Sequence, residues 1–101
     1  LVKIFDGELL SRKSVLVTGG GGGLGREIAA ALSGLGARVY ICGRRVGMLE
    51  ETATAISAKT GNPVLAHACD VRDADIVDSM IEKIWQDGPL TGLVNNAAAN
   101  F

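Results

Sequence analysis

The sequence is poor in several things, and each shortage excludes a class of function. It has two cysteines in 101 residues, too few for a disulfide framework, and with its single histidine, His67, they make no metal-ligand cluster. Cys42 and Cys69 each stand at or one residue before the end of an apolar, strand-like run, so reduced and buried thiols in a cytoplasmic, reducing compartment are expected. His67 lies inside such a run, where packing in the core or at a sheet edge is the plainer role and a catalytic base the rarer one. The net charge is only −1, which leaves no electrostatic footprint for nucleic acid. No apolar run approaches the ~18 residues that a membrane span needs. Lys3, Asp6 and Glu8 interrupt the start, which therefore does not read as a secretory signal. Repeats, low-complexity tracts and linkers are missing too. What remains, 48% hydrophobic and 21% charged residues, has the composition of one globular domain.

Glycine is the exception to this scarcity. Five glycines run together at 19–23 and a sixth follows at Gly25. Before them Val15, Leu16, Val17 and Thr18 read as a short buried strand; after them Leu24, Ile28, Ala31, Leu32 and Leu35 recur at helical spacing. The period changes at the glycines, so they are the joint between strand and helix, and a flexible linker is a poor reading of them. Glycine suits a sharp turn whose backbone N–H groups must approach a phosphate without a Cβ in the way, with the positive end of the helix dipole behind them. Two registers fit. Gly20, Gly22 and Gly25 satisfy G-x-G-x-x-G, whereas Thr18, Gly19, Gly23 and Gly25 satisfy T-G-x-x-x-G-x-G. The first asks for an acid about 20 residues further on to hold a ribose hydroxyl, but Gly43 is followed there by Arg44 and Arg45. Residues 1–50 carry seven Lys or Arg against four Asp or Glu, and residues 51–101 carry three against seven, so the basic half is the half with the turn. That suits an anionic ligand without requiring one.

The rest of the chain alternates. Residues 1–12 form an irregular lead whose Ile4, Phe5, Leu9 and Leu10 are expected to cover the side of a sheet. The first helix closes at Gly34 or Gly36 with a left-handed cap, and 37–42 is a second strand. A second helix covers 46–60 with Leu49, Ala53 and Ile56 on one face, stopped by Gly61 and Pro63. A third strand takes 63–70. Asp73 then caps a helix whose buried stripe is Val77, Met80, Ile81 and Ile84, ended by Gly88 and Pro89, before a short fourth strand at 93–95. This alternation predicts an α/β fold, a doubly wound, Rossmann-like parallel sheet with right-handed crossovers and strand order 3-2-1-4.

Four short signals at strand ends, Thr18-Gly19-x-x-x-Gly23-x-Gly25, Gly43-Arg44, Asp70-Val71 and Asn95-Asn96-Ala97, occur in the order and at the spacing of the short-chain dehydrogenases/reductases, and the chain resembles that family over nearly its whole length. The resemblance implies a dinucleotide site. Thr18, Gly19, Gly23, Leu24 and Gly25 form the turn that takes the pyrophosphate, and Asp70 with Val71 flanks the adenine. Asn95, Asn96 and Ala97 line the ribose and brace the sheet, with Thr18 bonding across to them. An acid in a turn is the plain alternative for Asp70, and turn chemistry is the plain alternative for the asparagines. Arg44 is the candidate for the 2′-phosphate, with Arg45 as support or as a solvated helix-start residue, so NADP(H) is expected in preference to NAD(H). The plain alternative is that both arginines face solvent.

Departures from the pattern matter equally. Ala98 stands where the family usually has glycine, and Asn100 with Phe101 is faintly similar to the enoyl-CoA and dienoyl-CoA reductase members. The family's serine and its tyrosine with lysine four residues later are missing. Tyr40 with Arg44 imitates only their spacing, and Tyr40 lies inside a strand. Residues 1–101 are therefore read as the cofactor-binding half of a single-domain reductase, with the catalytic half absent and homo-oligomers expected of the complete protein. On this reading Leu93 and Val94 lie at an edge with nothing beyond it, and the isolated chain is expected to associate through that edge. A dinucleotide-binding module without chemistry, a redox sensor or scaffold, is the alternative from another class.

Overall fold

Val15, Leu16 and Val17, with no charged neighbour before the glycines, form the centre of β1 (Ser14–Thr18), and each is buried. The computed structural model describes residues 9–96. Within them β1 is followed by α1 (Gly23–Gly34), β2 (Arg38–Gly43), α2 (Val46–Thr60), β3 (Val64–Ala68), α3 (Ala74–Trp85) and β4 (Gly92–Asn95). All strand pairs are parallel, and the order across the sheet is β3-β2-β1-β4. The order reverses between β1 and β4, which opens a crevice beyond the carboxyl ends of the strands.

Alternate residues of each strand face opposite sides. Val15, Val17, Val39, Ile41 and Val64 face α1 and α2, and pack with Ala29, Leu49, Ala53 and Ile56. Leu16, Tyr40 and Cys42 face the other side and pack with Met80 and Ile84 of α3. Asp73 caps α3 as its position suggests, accepting from the N–H groups of Asp75 and Ile76 at 3.1 and 3.2 Å. The second helix has the bounds read from its flanking residues.

Three expectations are corrected. The buried face of α1 is not the Leu24, Ile28, Ala31, Leu32 and Leu35 stripe but Gly25, Ala29 and Ser33, with Leu24 63% exposed and Ala31 at the surface. Small residues at every fourth position let the helix start lie directly against the turn, and the larger side chains Ile28 and Leu32 pack at the flanks. The end of the helix agrees with the sequence: it closes at Gly34 with Leu35 as cap, and of the two glycines it is Gly36 that is left-handed, at φ 96°. Cys69 lies just beyond the end of β3 rather than inside it, because its N–H, at 2.8 Å from the Gly43 carbonyl, closes the ladder where β2 ends. Leu9 is 55% exposed; the turn at 9–12 lets only Leu10 of the two leucines reach the core. Ile4 and Phe5 lie outside the described residues.

Candidate functional site

The turn is built by two kinds of glycine. Gly19 and Gly23 have φ of 67° and 56°, a left-handed conformation that side chains disfavour, whereas Gly22 is extended. Gly25 serves a different need: a Cβ there would collide with the Gly19 carbonyl oxygen and lie 2.7 Å from Asn96 Nδ2. Gly20 also lacks room for a side chain, since a Cβ there would stand 2.5 Å from Ile41 Cγ2, and Gly25 is common to both registers; only the left-handed Gly19 and Gly23 are particular to Thr18-Gly19-x-x-x-Gly23-x-Gly25. Asn96 Nδ2 donates to the Gly19 carbonyl at 3.3 Å, and the Thr18 hydroxyl lies 3.2 Å from Asn95 Oδ1 and 3.4 Å from the Val94 carbonyl. The ends of β1 and β4 are therefore stitched together beneath the crevice. No acid stands in the first turn of α1, so the positive end of its dipole is not offset locally.

Above these residues lies a cleft of about 730 Å³. It brings Gly19, Arg44, Arg45, Asp70, Val71 and Asn96 together. Thr18, Gly25 and Asn95 stand outside the lining, Thr18 and Gly25 as its buried support, and Gly23 and Leu24 sit at the exposed start of α1. Ala97 lies outside the described residues. Arg44 and Arg45 are exposed in the loop that joins β2 to α2, with Arg45 at the helix cap position. Asp70 is first of all a turn acid. Its Oδ1 accepts from the Arg72 N–H and Nε, both at 3.0 Å, and its Oδ2 accepts from Nη2 at 2.8 Å. The Arg72 side chain holds its carboxyl well below the usual carboxylate range, so Asp70 is an anion throughout the pH range of use. Arg44 forms no salt bridge among the described residues, though its charge adds to the lowering of the Asp70 pKa.

Of the histidine, tyrosine and cysteine side chains, Cys69 lines the cleft, whereas His67, Tyr40 and Cys42 do not. His67 is half-buried on β3, 6.0 Å from the Tyr40 ring and outside the cleft lining, and burial lowers its pKa. The Tyr40 hydroxyl donates to Asp87 Oδ2 at 3.3 Å, and burial raises its pKa. Cys42 and Cys69 are free and buried; burial, then the neighbouring Cys69, pushes the Cys42 thiol up to about 11. A brief alkylation of the native protein at about pH 8 should therefore leave Cys42 unmodified, because the thiolate is the reactive form. Peptide mapping checks this, and labelling as fast as in the denatured protein would contradict it.

Sequence reasoning missed three residues. Arg72 engages Asp70, and Met48 reaches from α2 into the cleft. Thr52, 1% exposed, donates its hydroxyl to the Gly21 carbonyl at 2.9 Å. A polar residue between Leu49, Ala53 and Ile56 on a buried face was the available signal for Thr52.

A model of the short chain dehydrogenase family matches residues 13–100. A probable 2,4-dienoyl-CoA reductase of Caenorhabditis elegans is 42% identical over 95 residues, which is 91% of this chain and 30% of that protein. Among solved structures, the citronellol catabolism dehydrogenase of Pseudomonas aeruginosa is 39% identical with a TM-score of 0.82, over 87% of this chain and 37% of that one. A metagenomic short-chain oxidoreductase solved in complex with NADP is 36% identical with a TM-score of 0.82, over 87% of this chain and 40% of that one. The chain thus spans about a third of the length of the relatives it matches.

Proposed function

The chain belongs to the short-chain dehydrogenase family, and from that premise we propose that it supplies the cofactor site of an NADP(H)-dependent oxidoreductase acting on a carbonyl, alcohol or enoyl substrate. The observation that carries the proposal is the convergence of four strand ends on one cleft, with a glycine turn and two arginines lining it and no acid at the end of β2. The residues fit the cofactor: glycines leave room for the backbone to approach a pyrophosphate, and unpaired guanidinium suits a 2′-phosphate. A relative's complex with NADP and a relative named as a dienoyl-CoA reductase support the cofactor and the enoyl end of the substrate range.

In this reading the nicotinamide, when bound, supplies or accepts the hydride. The residues of this chain bind and orient. The turn from Gly19 to Gly23 and the start of α1 hold the pyrophosphate, Arg44 holds the 2′-phosphate with Arg45 beside it, and Val71 packs at the adenine end next to Asp70. Asn95 and Asn96 keep the β4 end in place through Thr18 and Gly19. Tyr40 and His67 both lie outside the cleft lining, so neither is assigned the substrate proton.

The test is turnover by the full-length protein, with NADPH or NADH and a panel of ketones, enones and enoyl-CoA thioesters. Substrate-dependent consumption of NADPH in preference to NADH is expected. Tight dinucleotide binding with no turnover on any member of the panel would contradict the enzyme reading and leave a binding module.

A further inference from the structure

We propose that Thr52 is a positioning residue for the phosphate-binding turn, acting from α2 on the peptide between Gly21 and Gly22. The proposal rests on the dinucleotide reading of the cleft and deepens it. A threonine inside a helix ordinarily returns its hydroxyl to the carbonyl four residues earlier. Thr52 instead reaches a different element, donating to the Gly21 carbonyl at 2.9 Å across 31 residues of sequence, and it does so while 1% exposed.

Two consequences follow from that bond. The Gly21 carbonyl, the negative end of its peptide dipole, is tied to α2 and kept from turning toward an anion in the cleft that Gly21 and Gly22 line. The peptide is planar and trans, so fixing the carbonyl also fixes the direction in which the Gly22 N–H is presented. Glycines have no side chain with which to set this orientation themselves, and a run of them is otherwise free to rotate. Neighbours on the same helix complete the brace: Met48 Sδ lies 3.4 Å from where a Gly22 Cβ would stand, and Leu49 Cδ2 lies 3.4 Å from where a Gly21 Cβ would stand. The turn is thus shaped partly from outside itself.

The test uses three variants of the full-length protein and two ligands, NADPH and 2′-AMP, which carries the adenine-side phosphate but no pyrophosphate. Thr52→Val keeps the shape and removes the hydroxyl; Thr52→Ser keeps the hydroxyl. Thr52→Val should bind NADPH on the order of fivefold more weakly, because the orientation that one neutral hydrogen bond supplies in advance must then be supplied on binding, with kcat at saturating cofactor unchanged. Its affinity for 2′-AMP should not change, and Thr52→Ser should restore NADPH binding. Thr52→Ala serves in place of the valine variant should that one not fold. NADPH affinity equal to the parent protein in the hydroxyl-free variant, or an equal loss for both ligands, would overturn the positioning role. Failure of the parent protein to bind either ligand would instead overturn the dinucleotide reading itself.

Discussion

Arg44→Ala in the full-length protein should weaken NADP(H) binding on the order of ten- to a hundredfold and leave NAD(H) within about twofold, because the proposed charge-assisted phosphate contact is lost and no salt bridge among the described residues is lost with it. The structure makes the substitution clean: Arg44 is exposed, and the nearby carboxylate of Asp70 is held by Arg72. Gly43→Asp is the complementary change. A Cβ at Gly43 would meet the Leu49 side chain at 3.6 to 3.9 Å, ordinary contact, so the new side chain is accommodated. An acid there accepts from ribose hydroxyls and repels a 2′-phosphate, so preference should pass to NAD(H). Paired titrations at fixed ionic strength measure both, since an exposed phosphate contact weakens with salt. Equal affinity for the two cofactors in the parent protein would remove the basis of the argument.

Gly25→Ala should have the larger effect on the fold. Its Cβ would collide with the Gly19 carbonyl oxygen, a backbone atom held at 3.3 Å by Asn96, so relief requires the start of α1 to lift from the turn. Overpacking against backbone costs on the order of 3 kcal/mol, and the turn that it displaces is the one proposed to hold the phosphate. A lowered melting temperature together with loss of dinucleotide binding is expected. Gly23→Val differs in kind: no atom lies within 4 Å of a Cβ there, but φ is 56°. The cost is backbone strain on the order of 1–3 kcal/mol, and binding should fall with the fold retained. Thermal melts and calorimetry of both variants separate the two mechanisms; unchanged dinucleotide affinity in Gly23→Val would show that the register of the turn is wrong, and in Gly25→Ala that the turn does not hold the ligand.

The contrast between these glycines also shows what can be read from residues in order. Strand and helix alternation is a local signal, and so are the Asp73 cap and the stop after Thr60; all three stand in the structure as expected. The buried face of α1 was not legible because the pattern rewards large apolar residues, whereas the helix is seated by Gly25, Ala29 and Ser33, whose value is their small size. Cys69 was placed inside its strand because an apolar run does not reveal where the neighbouring strand stops pairing; Gly43 decides that. In the site, the motifs marked the strand ends that line the cleft. They did not announce partners chosen by three-dimensional proximity, such as Arg72 on Asp70 or Thr52 on Gly21, since either bond depends on where a loop or a helix has already been placed.

The central claim is that one cleft binds one dinucleotide, with its pyrophosphate on the glycine turn and its 2′-phosphate on Arg44. A crystal structure of the full-length protein with NADP⁺ tests it most directly. The account predicts pyrophosphate oxygens within hydrogen-bond distance of backbone N–H groups between Gly19 and Gly23, and the Arg44 guanidinium on the 2′-phosphate. A dinucleotide bound elsewhere, or one whose 2′-phosphate faces solvent with Arg44 turned away, would contradict it.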